Sequence, residues 1–274
     1  KTRKIFINGK EKKNLSQLRK KFPMLWITPY DEKIFKGPAS SRRTFLDRLV
    51  SNFDPSHNVR INNYNKLLQQ RSKVLKDNSG DIEWLDAIED QLSKLAVAIC
   101  SFRFDIVGRF SSFLTEKVRG FPSLRIEFFE SIENRLLKKP AVKIEEELRS
   151  NYKESRKLDL LIGGSLHGSH KTELLFYNLE KNMPADMCSS GEQKLLLISI
   201  ILSCAKALKR TIRISPIMLL DEIFTHLDAG KKNFLFNELI SVGSQIWITT
   251  AETDNFLKKY DNVYYYELKN RTKN

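Results

Sequence analysis

A short apolar run followed at once by two acidic residues constrains the fold of this chain more than any other stretch. Residues 217–220 are apolar at every position, and Asp221 and Glu222 follow them without a spacer. Such a run favours a strand that is buried on both faces, as in a parallel sheet covered by helices. Ligands bind outside the carboxyl ends of strands of this kind. The run therefore predicts an α/β fold with two carboxylates at a ligand-binding edge.

The stretch that precedes this strand begins a long helix at small residues. Ser189, Ser190 and Gly191 stand directly before Glu192, and a largely apolar segment extends to Leu208. Serine is a good helix N-cap, and glycine lets a ligand approach the backbone closely. The free N–H groups at the start of a helix also attract anions. A plain capped helix would have the same local sequence, so the spacing to the acidic strand has to decide between the two interpretations.

The order of these parts resembles the head of an ABC-type ATPase. A capped helix of about five turns, a short basic loop and a strand ending in two acids follow one another. The cap is similar to the signature motif of that family, the strand to its Walker B motif, and residues 225–228 to its D-loop. In this interpretation Asp221 holds Mg²⁺ together with phosphate oxygens, and Glu222 is the catalytic carboxylate that polarises the attacking water.

The composition indicates a globular and strongly basic chain. Of its 274 residues 41% are hydrophobic, and the formal net charge is +14. Residues 1–60 hold 15 Lys and Arg against 5 Asp and Glu, which favours a polyanionic partner such as nucleic acid, with a solvated basic surface as the alternative. No apolar stretch is long enough to span a membrane. The 3 cysteines show no metal or disulfide spacing. We therefore expect a cytoplasmic protein that does not bind a membrane.

Hydrophobic periodicity divides the chain into sheet segments and a helical insert. Residues 1–30 and 159–274 contain strand-like runs, whereas residues 31–158 have mostly helical spacing. We expect the two outer segments to form ATPase lobe I, with a mainly parallel sheet, and the insert to form a helical lobe II. Within the insert the charged residues 144–158 predict a solvated helix, and residues 263–268 predict a last strand.

Four segments extend the resemblance to the RecF family of bacterial DNA-repair and recombination mediators. They are residues 26–35, residues 37–49 with the Arg42-Arg43 pair, residues 183–199 around the signature helix, and residues 216–250. The signature helix has the form associated with alphaproteobacterial members, and the resemblance covers about residues 4–268. Arg42 and Arg43 are candidates for contacts either with DNA or with the protein core.

Membership of this family would imply a two-lobed head that forms a homodimer on binding ATP, with Mg²⁺ as the second cofactor. The family's ATPase activity is weak. Its members bind single-stranded or gapped DNA and act with the RecO and RecR proteins, loading recombinase during DNA repair, replication restart and the SOS response to DNA damage. We expect this chain to have the same partners.

The resemblance also assigns roles to single residues. Ser189, Ser190 and Gly191 would bind the nucleotide held by the partner subunit, near its γ-phosphate. Asp228 would lie in the dimer interface. Thr250 stands at the position where transporters of the wider family have a switch histidine.

The sequence departs from the family at two places. None of its 11 glycines lies in the pattern G-x-x-x-x-G-K-[ST], whose loop holds nucleotide phosphates. In the family this P-loop lies upstream of the segment where the chain begins, so we expect poor ATP binding and no useful hydrolysis by this polypeptide alone. We also expect an exposed sheet edge beside residues 217–220. The family's Gly-Pro-His-Arg motif is Ser165-Leu-His-Gly168 here, without the proline and the arginine.

Three functions stay open on the sequence. The chain is an N-terminally truncated RecF-like ATPase, or a module that binds DNA or a partner protein without ATP, or an SMC-like structural ATPase. Residues 31–158 are too short and irregular for the heptad arms of the third class. The first two classes differ in whether ATP tightens DNA binding.

Overall fold

The computed structural model describes residues 5–12, 18, 20–77, 81–116, 120–250, 257, 260 and 263–267. Its strands are β1 (Ile5–Ile7), β2 (Lys10–Lys12), β3 (Met24–Ile27), β4 (Leu124–Phe129), β5 (Glu173–Asn178), β6 (Met183–Pro184), β7 (Ile217–Asp221) and β8 (Ile246–Thr249). Its α-helices are α1 (Ala39–Phe53), α2 (His57–Asp77), α3 (Ile82–Thr115), α4 (Ile132–Leu136), α5 (Ala141–Ile162), α6 (Ser190–Ile212) and α7 (Ala229–Val242). None of the helices described is long and apolar enough to cross a membrane.

The predicted buried strand lies at the centre of a 3-stranded parallel sheet. β7 pairs with β3 on one side and with β8 on the other, both in parallel. This arrangement confirms the α/β fold with a parallel sheet. The expected exposed edge beside β7 is wrong, because the chain returns through α7 and places β8 in that position. Within the described ranges the edges of this sheet are β3 and β8.

The signature helix fills the core beneath this sheet. α6 is buried around most of its circumference, as expected for a helix that is apolar on nearly all sides. Met218 and Leu220 of β7 point into the same apolar cluster as Leu197 and Ile201 of α6. The core therefore fixes the start of α6 relative to the carboxyl end of β7.

A single long helix connects this core to the helical part of the chain. α3 has 34 residues and is about 50 Å long. Asp81 caps it by accepting a hydrogen bond from the Trp84 N–H at 2.8 Å. The first half of α3 packs with α2 and α5 around Leu92, whereas Phe110 in its second half belongs to the core of the sheet region.

The helix α5 differs from the prediction of a solvated helix. It begins at Ala141 and ends at Ile162, and Ile144, Leu148 and Tyr152 on one face are fully buried. The prediction was wrong about burial, because the many charged residues obscure an apolar stripe at helical spacing. The strand β4, which also lies within residues 31–158, pairs antiparallel with β5.

The predicted last strand is not formed. Residues 263–267 have no regular secondary structure, and Tyr264 and Tyr266 are exposed. β-Branched and aromatic composition favours a strand only where a neighbouring strand supplies the backbone partners. Leu268 lies outside the described residues.

Candidate functional site

The two acids at the end of β7 are held by a threonine of the neighbouring strand. The register places Asp221 opposite Thr249, and the Asp221 carboxylate accepts a hydrogen bond from the Thr249 hydroxyl. The N–H of Glu222 donates to the carbonyl and to the hydroxyl oxygen of Thr249, at 3.2 Å in both cases. Thr249 thus fixes both acids, while the Asp221 carboxylate stays exposed at the edge of the sheet.

A strained turn follows the acids. Glu222 and His226 have positive φ angles of 53° and 63°, which cost about 1–2 kcal/mol each in residues other than glycine. The Thr225 hydroxyl donates to the Glu222 carboxylate at 2.8 Å and holds that side chain against the turn. Backbone strain of this kind concentrates at ligand sites and switch segments.

Asp228 ends this turn and caps the next helix. Its carboxylate accepts from the Lys231 N–H at 2.8 Å and forms an ion pair with the Lys231 ammonium at 2.9 Å. The hydrogen bond from the Lys231 N–H, followed by the contact with its side chain, lowers the pKa of Asp228. The side chain of Asp228 is 60% exposed. The Asp228 carboxylate therefore has hydrogen-bond partners within the chain and is still accessible to a second molecule.

The start of α6 is a capped helix, as predicted. The Ser189 hydroxyl accepts from the Glu192 N–H at 3.4 Å, and the Glu192 carboxylate accepts from the Ser189 N–H at 2.9 Å. Glu192 also pairs with Lys181. The hydrogen bond from Lys181, followed by those from Ser189, lowers the pKa of Glu192 to about 2. Lys181 therefore compensates the negative charge that Glu192 brings to a helix start that would otherwise favour anions.

The residues after the cap leave open space above the helix start. Ser190 and Gly191 are exposed, and a Cβ atom added to Gly191 would meet no atom within 4 Å. The packing of this chain consequently does not require glycine at position 191. Its small size is instead suited to a second molecule that approaches the backbone closely.

A buried lysine connects the start of α6 to the acidic turn. The Lys194 ammonium donates to the carbonyl oxygens of Glu222 at 2.9 Å and Thr225 at 3.0 Å. Its side chain is 9% exposed, and it lies 3.5 Å from the Glu32 carboxylate. Lys194 thus ties the start of α6 to the turn that follows Asp221 and Glu222.

Sequence reasoning missed Lys194 and Thr249. A lysine within the apolar segment that follows Gln193 was a usable signal, because a buried ammonium needs acceptors. Thr249 is the last residue of β8 and Thr250 follows it, and only the register of β7 against β8 shows that Thr249 reaches the acids. Thr250, the predicted switch residue, is exposed just after β8.

Arg42 and Arg43 lie in internal contacts. Arg42 donates to the Gly37 carbonyl at 2.6 Å and pairs with Glu173, and Arg43 donates to the Thr172 carbonyl at 2.8 Å. Burial lowers the pKa of the Arg43 guanidinium. These contacts favour the core role over the DNA-binding role that the sequence left open.

The loop between α5 and β5 is built around Gly168, a position where the packing leaves no room for a side chain. Gly168 has a φ of +124°, and a Cβ atom there would lie 2.0 Å from the Tyr64 hydroxyl. His170 anchors the loop, because one ring nitrogen contacts the Tyr64 hydroxyl at 2.8 Å and the other the Ser165 carbonyl at 3.0 Å. An arginine at position 168 would not fit this packing.

The acidic edge offers few ligands for a metal ion. No group of three or more His, Cys, Asp or Glu side chains within the described ranges could hold one. The exposed Asp221 carboxylate beside the Thr249 hydroxyl is an oxygen donor set, which suits a hard cation that completes its shell with phosphate oxygens and water.

Comparison with known proteins finds sequence relatives among bacterial DNA replication and repair proteins. The chain is 33% identical over 269 residues to the DNA replication and repair protein RecF of Rhizobium etli. The aligned region covers 97% of this chain and 72% of that protein. It is 36% identical over 256 residues to RecF of Mesorhizobium japonicum, with 93% and 68% covered. The chain belongs to the RecF family. It therefore has a function in DNA replication and repair. A scan against protein-family models gives no match.

Solved structures support the same fold. Two structures described as the recombination mediator protein RecF in the RecFOR pathway, with ATP and with ATPrS, superpose with a TM-score of 0.76. The ATPrS structure is 21% identical in sequence, and the match covers 90% of this chain and 67% of that one. The chain thus has the ABC-ATPase-like fold of RecF, with a parallel sheet and a mostly helical remainder.

Proposed function

We propose that this chain acts as a RecF-like recombination mediator that binds gapped or single-stranded DNA in an ATP-dependent manner. Membership of the RecF family and the surface formed by Ser189–Gly191, Lys194 and the acidic turn support this proposal. RecO and RecR are the partner proteins we propose, by analogy with the pathway named for the solved relatives. Residues 31–158 would form lobe II, and residues 1–30 and 159–274 lobe I.

We propose roles for the site residues that the resemblance to the family suggests and that the geometry allows. Asp221 would hold Mg²⁺, which supplies positive charge to nucleotide phosphates when bound. Glu222, whose carboxylate is oriented by Thr225, would polarise a water molecule. Ser190 and Gly191 lie exposed beside the Ser189 cap, so they would contact phosphates held by a second copy of the chain. Asp228 would lie in that dimer interface, and Thr250 would respond to the nucleotide.

An ATP-independent DNA- or partner-binding module is the second candidate. The formal net charge of +14 supports it, because a basic surface attracts a polyanion whether or not a nucleotide is bound. Where the second candidate binds DNA, it differs from the first in that nucleotide does not change the binding.

Titration of fluorescently labelled gapped DNA, followed by anisotropy with and without Mg²⁺ and ATP, separates the two. The ATP-dependent function predicts that ATP tightens binding at least several-fold. Binding that is the same with and without ATP supports the second candidate. A chain that does not bind DNA even at low salt contradicts the first candidate and the DNA-binding form of the second.

Gly191→Ala tests the role of the helix start. The added methyl group meets open space within the chain, so the unfolding free energy should change by less than about 0.5 kcal/mol. The ATP effect on DNA binding should nevertheless disappear, because the methyl group occupies the approach to the backbone. Gly108→Ala on α3 is the matched control, since a Cβ at this exposed helical glycine also meets nothing within 4 Å. An unchanged ATP effect in Gly191→Ala would remove residue 191 from the nucleotide site.

A further inference from the structure

The helix α2 has an unusual distribution of charge. Residues 55–76 contain no Asp or Glu, although they contain 5 Lys and Arg and 6 Asn and Gln. Solvated helices normally mix both signs of charge, since Glu and Lys at helical spacing stabilise each other. The first acid on this helix is its last residue, Asp77.

The polar residues of α2 form one outward face. From residue 62 to residue 76 every exposed side chain is Asn, Gln or Lys. At 100° per residue they lie within an arc of about 160°, and they extend over about 21 Å along the helix. The members of this face are Asn62, Asn63, Asn65, Lys66, Gln69, Gln70, Lys73 and Lys76.

The carboxylates near α2 are used on its inner side. Arg71 is 2% exposed and binds Glu89 at 2.8 Å and Asp159 at 2.6 Å. By contrast, no ion pair in the described part of the chain involves Lys66, Lys73 or Lys76. The outward face therefore has a positive charge that the fold does not compensate.

Two grooves border this face. The first groove, of about 440 Å³, lies between α2 and α3. It is lined by polar side chains of both helices, among them Asn63, Lys66, Gln70, Gln91 and Lys94. No carboxylate of the described residues lines it.

The other groove, of about 540 Å³, lies between the end of α2 and the loop after α5. Lys73 and Lys76 line it beside Gly163 and Gly164, whose lack of side chains leaves the backbone open, and Asp77 is its one exposed acid.

We propose that the outward face of α2 binds the phosphate backbone of DNA, an inference that rests on the DNA-binding function proposed above. Lysine, asparagine and glutamine are among the side chains that contact DNA phosphates without carrying sequence information. The face is long enough to follow about six base pairs at 3.4 Å each. Its exposed positions carry no aromatic or aliphatic side chain from residue 62 to 76, whereas the centre of a protein–protein interface is apolar.

The triple variant Lys66→Gln, Lys73→Gln, Lys76→Gln tests this surface. Glutamine keeps helix propensity and removes only the charge. The control is the triple variant Lys138→Gln, Lys139→Gln, Lys143→Gln near the start of α5, which changes the net charge by the same amount. Lys139 and Lys143 already have carboxylate partners, at 2.6 and 2.8 Å. Urea unfolding of both variants should match the parent chain.

Gapped-DNA binding by anisotropy, measured over a range of salt concentrations, is the decisive readout. We expect the α2 variant to bind at least tenfold more weakly at moderate salt. The slope of log K against log salt should fall in magnitude by about 0.9 for each phosphate that a lysine no longer neutralises, hence by about 2–3. The control should keep the parent slope and an affinity within about twofold.

The outcomes separate this inference from the proposed function. If the parent chain binds DNA and the α2 variant binds with the same affinity and slope, the DNA path lies elsewhere and only this inference fails. If the α2 variant and the control lose affinity equally, net charge rather than this face is responsible, and the inference also fails. If the parent chain binds no DNA at low salt, the inference and the proposed function fail together.

Discussion

Two polar regions of the molecule use their charges in opposite ways. Where α2, α3, α5 and the loop before β5 meet, Arg71, Glu89, Asp159 and His170 have their partners within the protein. We refer to this region as the helical junction. At the carboxyl edge of the parallel sheet, Asp221 is held in place and still exposed. Charges of the first kind fix the fold, and charges of the second kind are available to ligands.

This difference predicts separate effects of mutation. Substitutions in the helical junction should lower the unfolding free energy strongly, since they leave buried polar groups without partners. Substitutions of exposed groups at the sheet edge should change stability little and affect ligand responses. Four measurements test the comparison, starting with the largest expected effect.

Arg71→Met should lower the unfolding free energy by about 3–5 kcal/mol, because Asp159 would then be buried without a cation and Glu89 would keep only its pair with Arg156. Urea unfolding measures the loss. The variant Arg71→Met, Asp159→Asn removes the stranded charge and should recover part of the stability. A small loss in Arg71→Met alone would show that the junction does not depend on its ion pairs.

Gly168→Ala should lower the unfolding free energy by about 3 kcal/mol, because the methyl group overlaps the buried Tyr64 and Tyr152 hydroxyl groups at a positive φ. Gly164→Ala, a few residues earlier in the same loop, should change it by less than about 0.5 kcal/mol. Thermal unfolding of the two variants side by side provides the comparison. Equal stability of both would contradict the packing around residue 168.

Lys194→Met tests a residue that shares a property with each region, because Lys194 is buried and its ammonium binds the turn at the sheet edge. Methionine retains the apolar stem, and the carbonyl groups of Glu222 and Thr225 lose a charged donor, which should cost about 2 kcal/mol. The ATP effect on DNA binding should weaken as well, since the turn is no longer tied to α6. A stability loss with an unchanged ATP effect would limit Lys194 to a structural role.

His170 gives the smallest effect, through pH. Burial, supported by the nearby Lys171 and Arg43, lowers the pKa of His170 below its usual value of about 6.5. The unfolded chain therefore binds the proton more readily, so this contribution to stability is present above about pH 6.5 and is lost as the pH falls. The unfolding free energy should decrease more for the parent chain than for His170→Gln between about pH 7.5 and 5.5, by roughly 1 kcal/mol. Parallel pH profiles would contradict the burial of a neutral imidazole.

Much of the sheet edge could be predicted from the sequence because its elements are local. The cap at Ser189 and the strand before Asp221 each depend on a few consecutive residues, and both formed as predicted. Lys194 and Thr249 were not identified, because their roles depend on which distant backbone atoms and which strand register they meet. The sequence likewise could not separate a core role from a DNA role for Arg42.

The helical junction was less predictable. The charged composition of α5 suggested solvation, although its inner face is buried against α3. Glycine at position 168 looked like the loss of an arginine, whereas the packing of Tyr64 and Tyr152 excludes any side chain there. Such constraints arise only when residues far apart in the sequence come together.

The uninterrupted helix α3 contributes a wall to each of the two hydrophobic cores. Melting of either core would leave half of that helix without its packing partners. We therefore expect the sheet and the helical part to denature in a single cooperative calorimetric transition, with no temperature at which one persists alone.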